Sequence, residues 1–415
     1  FREQNDRFEI HAYDEDMRLR WERVLDFEKR TASIIAIVPG DTSFHVVYGY
    51  RDHGDYFVKH HHYDPNTDLL DTVTVAVVEK SYFSPKFKHA VSEDKTKLLL
   101  FRSDKESELF AMGYDLVQGK ELWVRDLHFD NGLFRRDFRA MEVSDAGDMY
   151  VVMDHEKVSR RNQEFEVYIL NGSTESLITK NVNLDEIVAL DLYVKFDNIN
   201  DQLVLAGLIN EKNVDRAKGI FMATLGMRGI DPGIRTIYFN EDLLQEVHGK
   251  DVSLRKGLSN YSVQDIALRQ DGGALIITEM NKEYSRRPNV PIRRDGAYGR
   301  TGWVDYYYED LLIFSVHPDG SEHWRTVLHK KQYSQDDEGV YSSYFLFKTP
   351  ELLRLIFNDE IKQENTISEY VLRGNGYVKR NNVFNTDYQR LRLRFRDAVQ
   401  VAYNECIVPS ERNNR

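Results

Sequence analysis

Fourteen short polar turn signals, each set between apolar or alternating β-forming runs, predict an all-β chain: a seven-bladed β-propeller of four-stranded antiparallel blades. Two observations carry the prediction. One series of turns recurs at a near-constant interval, and a second series interleaves with it.

The first series runs through Pro39-Gly40-Asp41, Glu93-Asp94-Lys95, Asp145-Ala146-Gly147, Asn198-Ile199-Asn200, Asp271-Gly272-Gly273, Thr349-Pro350-Glu351 and Tyr403-Asn404-Glu405. Each precedes a β-rich run such as Phe44 to Tyr48 or Leu98 to Phe101. Counted from residues 41, 94, 147, 200, 273, 351 and 404, the gaps are 53, 53, 53, 73, 78 and 53, the sequence signature of stacked like units. The second series is Asp14-Glu15-Asp16, Asp64-Pro65-Asn66, Val117-Gln118-Gly119, Asn171-Gly172, Arg228-Gly229, Pro318-Asp319-Gly320 and Asn375-Gly376. Together they imply 28 strands, and four strands per blade give seven blades. Because the chain opens on an outer-type hairpin (Phe8 to Trp21) and ends on an inner-type pair (Ala398 to Pro409), the last blade is expected to be shared. The N-terminal hairpin would pair with the C-terminal strands and close the sheet edge that a linear array exposes. The expectation is a single domain over residues 1–415, with insertions at 240–261 and 281–310 on one face.

Composition excludes several functions. Asp+Glu 68 against Lys+Arg 56 leaves a net charge of -12, which argues against nucleic acid as a partner. No run approaches the ~20 apolar residues of a membrane-spanning helix. A single cysteine, Cys406, excludes an internal disulfide framework. A first residue of Phe1 is what removal of a secretory signal leaves, and equally what another chain end leaves.

Tyr114-Asp115-Leu116-Val117-Gln118-Gly119-Lys120-Glu121-Leu122-Trp123 is similar to the repeat of quinoprotein-like β-propellers, in which an acidic turn and a Gly lead to a Trp packed between blades. Pro318-Asp319-Gly320 to Trp324 and Tyr13-Asp14 to Trp21 are weaker echoes, so Trp21, Trp123 and Trp324 are expected to be buried. A longer stretch resembles uncharacterised exported propellers of Bacteroidota: Tyr306 to Asp310 through Lys330 to Ser334, Gly339 to Tyr344 and Leu355 to Asp359. That group includes the plug of the type 9 secretion translocon. The resemblance implies export to the periplasm or outer membrane and a protein partner. No functional motif carries over residue by residue, and no cofactor is expected.

Excess length marks the candidate site. Between turns 229 and 273 there are 44 residues where about 28 are usual, and between 273 and 320 there are 47 where about 25 are usual. In the first excess, Asn240, Glu241, Asp242 and Gly249 bracket a short capped helix. The second is cationic and aromatic. Its predicted partner-binding residues are Arg286, Arg287, Arg293, Arg294, Tyr298, Arg300, Trp303, Tyr306 and Tyr307, the composition of interface hot spots. Pairing of these arginines with the protein's own acids, such as Asp336, Asp337 and Glu338, and binding of a small anion are the alternatives.

Other motifs carry less. In His60-His61-His62, strand alternation turns His61 away from its neighbours and no further ligand completes a metal set, so a solvated strand is expected. Asp336-Asp337-Glu338 lacks the spacing of a calcium loop. No Gly-x-Ser-x-Gly, His-Glu-x-x-His or phosphate-binding glycine loop occurs. The leading expectation is a non-catalytic, exported propeller that docks a protein, as an accessory or plug of an outer-membrane secretion complex. The alternative is a carbohydrate-active or other hydrolytic propeller with acids in a central channel; a quinone-dependent dehydrogenase ranks last.

Overall fold

The computed structural model describes residues 2–4, 7–14, 16–40, 42–80, 83–129, 133–154, 163–211, 216–226, 233–249, 256–286, 303–359, 366–385 and 391–412. The chain is all-β and repeats the propeller's blade unit, a sheet of four antiparallel strands. Sheet A comprises Ser33–Pro39, Phe44–Asp52, Asp55–Tyr63 and Leu69–Val78. Sheet B comprises Lys88–Val91, Lys97–Lys105, Glu108–Asp115 and Lys120–His128. Sheet C comprises Phe138–Val143, Met149–Asp154, Glu164–Leu170 and Leu177–Asn183. Sheet D runs Val188–Ala189, Gln202–Asn210, Gly219–Gly226 and Arg235–Tyr238. Tyr193–Asp197 also pairs with its Gln202–Asn210 strand. Sheet E comprises Tyr261–Leu268, Ala274–Arg286, Trp303–Val316 and Glu322–Leu328, with Gln332–Gln335 added along its third strand. Sheet F comprises Phe345–Lys348, Leu352–Asn358, Thr366–Arg373 and Val378–Asn385.

Thirteen of the fourteen expected turns separate two consecutive strands that pair with each other, and the fourteenth, Arg228-Gly229, lies outside the described residues. The local chemistry is visible at several. Asp64 Oδ1 accepts the amides of Asn66 and Asp68, and Asn171 Oδ1 those of Ser173 and Thr174, so a side chain closes the turn. At Gly147 and Gly376, φ is +87° and +84°, a conformation that costs a side-chain-bearing residue about 1 kcal/mol or more.

Burial explains why several second strands read as continuous apolar runs. Every residue of Met149–Asp154 is buried, and all but the first of Gln202–Asn210, whereas Leu69–Val78 and Leu177–Asn183 are mostly exposed.

Contacts group the chain into two units: Phe1–Ser159 with Gln163–Asn183 and Phe196–Leu203, and the remainder. The first buries a core of Trp123, Phe129, Phe134, Met149 and Val151, and the second one of Leu208, Ile276, Leu312 and Phe314 with helix residues Leu243 and Leu244.

Six sheets of four or more strands lie among the described residues, against seven expected. The Arg7–Tyr13 strand pairs with Leu19–Leu25 on one edge and with Arg2–Gln4 on the other. At the C-terminus, Val399–Ala402 pairs with Glu405–Ile407, and Leu391–Leu393 with Ser410–Arg412.

Candidate functional site

The long insertion after the fifth repeat's inner turn is not an open loop at its base. The second and third strands of sheet E run 13 and 14 residues and stay paired well beyond the first strand, from Asn281 opposite Tyr308 to Arg286 opposite Trp303. The extension begins where the first strand ends. Tyr261 lies opposite Met280, and the Asn281 amide donates to the Asn260 carbonyl. The crossing that carries the helix Glu241–His248 therefore enters sheet E at the end from which the hairpin leaves. That helix is capped as its sequence predicts: Asn240 Oδ1 accepts the Leu243 amide, and Gly249 closes it at φ +66°.

A third strand stiffens the extension, because Gln332–Gln335 pairs with Asp305 to Tyr308. The acidic run after it also serves the fold. Asp336 Oδ1 accepts the Val304 amide, and Asp337 Oδ1 accepts the Ser334 hydroxyl and the Gly339 amide.

Beneath the extension lies a buried polar root. Lys330 Nζ sits 2.6 Å from Glu279 Oε1, with neither side chain exposed, and donates to Gln332 Oε1 at 2.9 Å. Ser343 Oγ donates to Glu279 Oε2 at 2.6 Å. Burial pushes the Lys330 ammonium towards its neutral form, and Glu279 opposes that. Such a network fixes position more than it adds stability.

Alternation divides the predicted partner-binding residues between two faces. Arg286, Trp303 and Tyr307 share one face with Lys282 and Tyr284; Tyr306 lies on the other, opposite Glu283. On the first face, Met280, Lys282, Tyr284, Arg286, Tyr307 and Glu309 line a cleft of about 380 Å³. Trp303 is 38% and Tyr284 52% exposed. Lys282 Nζ lies 5.7 Å from the centre of the Tyr284 ring, and Tyr307 packs against Tyr333 at 5.1 Å. Arg286 is ion-paired with the buried Asp305, which also accepts the Tyr333 hydroxyl at 2.7 Å. Internal pairing thus applies to Arg286, with Asp305 as its partner. Arg287, Arg293, Arg294, Tyr298 and Arg300 lie outside the described residues. Lys282 and Tyr284 were missed as site residues although period-2 spacing from Arg286 marks them.

Two other expectations are corrected. The histidine strand is not solvated: His60 and His61 are buried, as is His45 opposite His62. The Asp55–Tyr63 strand is interior to its sheet and covered on both faces. On one, His45 Nδ1 meets His60 Nε2 at 3.0 Å and His60 Nδ1 meets the Tyr114 hydroxyl at 3.1 Å; on the other, His61 lies between the Tyr48 and Tyr63 hydroxyls at 2.7 and 2.8 Å. Of the tryptophans, Trp123 is buried, whereas Trp21 and Trp324 are half-buried. Trp123 and Trp324 still do equivalent work, each donating its indole N–H at 2.9 Å to a turn carbonyl of the next sheet, Gly147 and Gly374.

No protein-family model matches the chain, and no curated protein matches it. Among solved structures, it is similar to the β-propeller domain of the Trilobed protease from Pyrococcus furiosus at 9% identity and a TM-score of 0.33, covering 86% of this chain and 97% of that one. It is similar to TolB from Acinetobacter baumannii at 12% identity and a TM-score of 0.31, covering 92% and 77%. An uncharacterized protein from Listeria monocytogenes gives 8% identity, a TM-score of 0.40 and coverage of 84% and 82%. Nothing about function follows from likeness at this level.

Proposed function

We propose that residues 1–415 form one non-catalytic propeller domain, exported to the periplasm or outer membrane, which docks a protein partner through the sheet E extension. The partner we favour is the translocon of a type 9 secretion complex, with this chain as an accessory or plug subunit. One observation carries the docking role: a paired hairpin projects past its sheet, is rooted in a buried ion pair, and presents Tyr284, Arg286, Trp303 and Tyr307 on one face. Rigid aromatic and Arg side chains give contact area at low entropic cost, and a rigid scaffold with one decorated element suits recognition. The subunit role rests on the resemblance of Tyr306 to Asp359 to exported propellers alone.

Affinity purification from the native source, followed by mass spectrometry, tests the proposal. The comparison is between the full chain and a variant with residues 284–303 replaced by a short Gly/Ser link. An outer-membrane translocon protein should be recovered with the first and lost with the second. Equal recovery by both refutes docking through the hairpin, and recovery of proteins from another compartment refutes the secretion role.

A further inference from the structure

The sheet E extension has two edges, and they differ. On one, Gln332–Gln335 pairs with Asp305 to Tyr308, so that edge already carries an added strand. On the other, the first strand reaches only to Tyr261, opposite Met280, and its last link to the extension is the Asn281 amide donating to the Asn260 carbonyl. Beyond that point, Asn281 to Arg286 pairs only with Tyr308 to Trp303 among the described residues.

Backbone direction alternates along an antiparallel strand. Since the Asn281 amide is aimed at the first strand's side, the N–H and C=O groups of Glu283 and Ser285 face the same way, and those of Lys282, Tyr284 and Arg286 are turned to the hairpin partner. Glu283 and Ser285 are exposed, and no described backbone pairs with them on that side. They are the unmade ladder bonds of a sheet edge. The run Asn281 to Arg286 holds no proline, and the bulge in this strand lies before it, between Glu279 and Asn281.

Charge decides which strand fits. Lys282 and Arg286 flank Tyr284 on the cleft face, and Glu283 lies on the other. Lys282 is exposed, and Arg286 keeps 48% of its side chain exposed beside Asp305. A second copy pairing antiparallel about Tyr284, the register that uses the whole described edge, sets Lys282 opposite Arg286. Like charges directly opposite oppose that pairing. A strand with acids at those two places meets no such cost.

Resting on the docking role proposed above, we infer that the edge Asn281 to Arg286 takes an added strand: an extended segment of the protein partner, antiparallel, with carboxylates opposite Lys282 and Arg286. Main-chain bonds to Glu283 and Ser285 supply affinity, and the alternate side chains supply selection.

Isothermal titration calorimetry of the full chain with acetyl-Thr-Glu-Thr-Val-Lys-Glu-Thr-amide tests the inference, because its two Glu residues fall opposite Arg286 and Lys282. N-methylation of the central Thr and the Lys, whose amides face the edge, should weaken binding by about tenfold or more. N-methylation of the Val, whose amide faces away, should change it by no more than about twofold. Lys282→Glu, at an exposed position, should weaken binding by about tenfold or more, and a peptide with Lys in place of the second Glu should restore it. The inference is overturned if the peptide does not bind at millimolar concentration, if both kinds of N-methylation weaken it equally, or if Lys282→Glu leaves its affinity unchanged. Dimerisation of the chain that the peptide competes away, seen by sedimentation, overturns it too by giving the edge to a second copy. Each of these outcomes is separate from docking through the hairpin, which is read by recovery of the translocon protein with and without residues 284–303.

Discussion

Replacing Trp123 by Ala probes the contact that ties sheet B to sheet C. The side chain is 1% exposed, lies across Gly113 and donates to the Gly147 carbonyl at 2.9 Å. Removing ~150 to 250 Å² of buried ring at ~25 cal/mol per Å² gives roughly 4 to 6 kcal/mol as an upper estimate. The Gly147 carbonyl loses its indole donor, about 1 kcal/mol more. Since measured Trp→Ala losses centre on about 3 to 5 kcal/mol, a loss of about 4 kcal/mol is expected. The geometry makes a sharper statement. A Cβ on Gly113 would lie 2.5 Å from the indole Cε2 and Nε1. Gly113→Ala should therefore cost about 1 to 3 kcal/mol by overpacking in the native chain. With Trp123 already Ala, the same change should cost almost nothing, so the double variant is more stable than the sum by about 1 to 3 kcal/mol. Urea titration followed by far-UV circular dichroism on all four proteins measures the cycle. Additive losses would refute the Gly113–Trp123 contact, and an unchanged midpoint for Trp123→Ala would refute its packing role.

Lys330→Met should cost about 3 to 5 kcal/mol by leaving Glu279 buried and unpaired, and Glu279→Leu added to it should restore much of that, read by the same titration. His45 and His60 are held at about 4 and about 3, mainly by burial, against 6.5 for an ordinary imidazole. The unfolded chain thus binds more protons between those values, and stability should fall as pH drops from about 6.5 towards 4, with no contribution from these groups at higher pH. His60→Gln should flatten that acid limb; urea midpoints at about pH 7 and about pH 5 that shift as much as in the native chain would contradict this. Asn240→Ala should cost about 1 kcal/mol through loss of the helix cap, measured as increased amide exchange in Glu241–His248. In surface plasmon resonance against the recovered partner, Trp303→Ala should raise the off-rate, and Arg293→Glu/Arg294→Glu should slow association and reduce its salt dependence.

The turns were legible because each is a local event, written in two or three residues such as Asp64-Pro65-Asn66 or Asp271-Gly272-Gly273. The helix at Glu241 was legible for the same reason, its caps being adjacent in sequence. What failed was non-local. The burial of His60 and His61 depends on which strand is interior and on Tyr48 and Tyr114 arriving from other strands. The separation of Tyr306 from Tyr307 was readable once the insertion was taken as strand, but its length and charge looked like a loop. The pairing of Arg2–Gln4 with Arg7–Tyr13 left no mark in the turn arithmetic, because that series begins at residue 16.

The hairpin extension also bears on the order in which sheet E forms. Its second and third strands join at Ala274 and Val316, 42 residues apart, whereas the equivalent join in sheet B links Lys97 and Asp115, 18 apart. Closing the longer segment directly carries an extra entropic cost of about 0.7 kcal/mol. Pairing from the distal end avoids it, since Arg286 and Trp303 are only 17 residues apart, and each later pair closes onto one already made. The projecting strands thus act as a zipper start for the sheet that carries them, and shortening the projection moves nucleation to a different place in the chain.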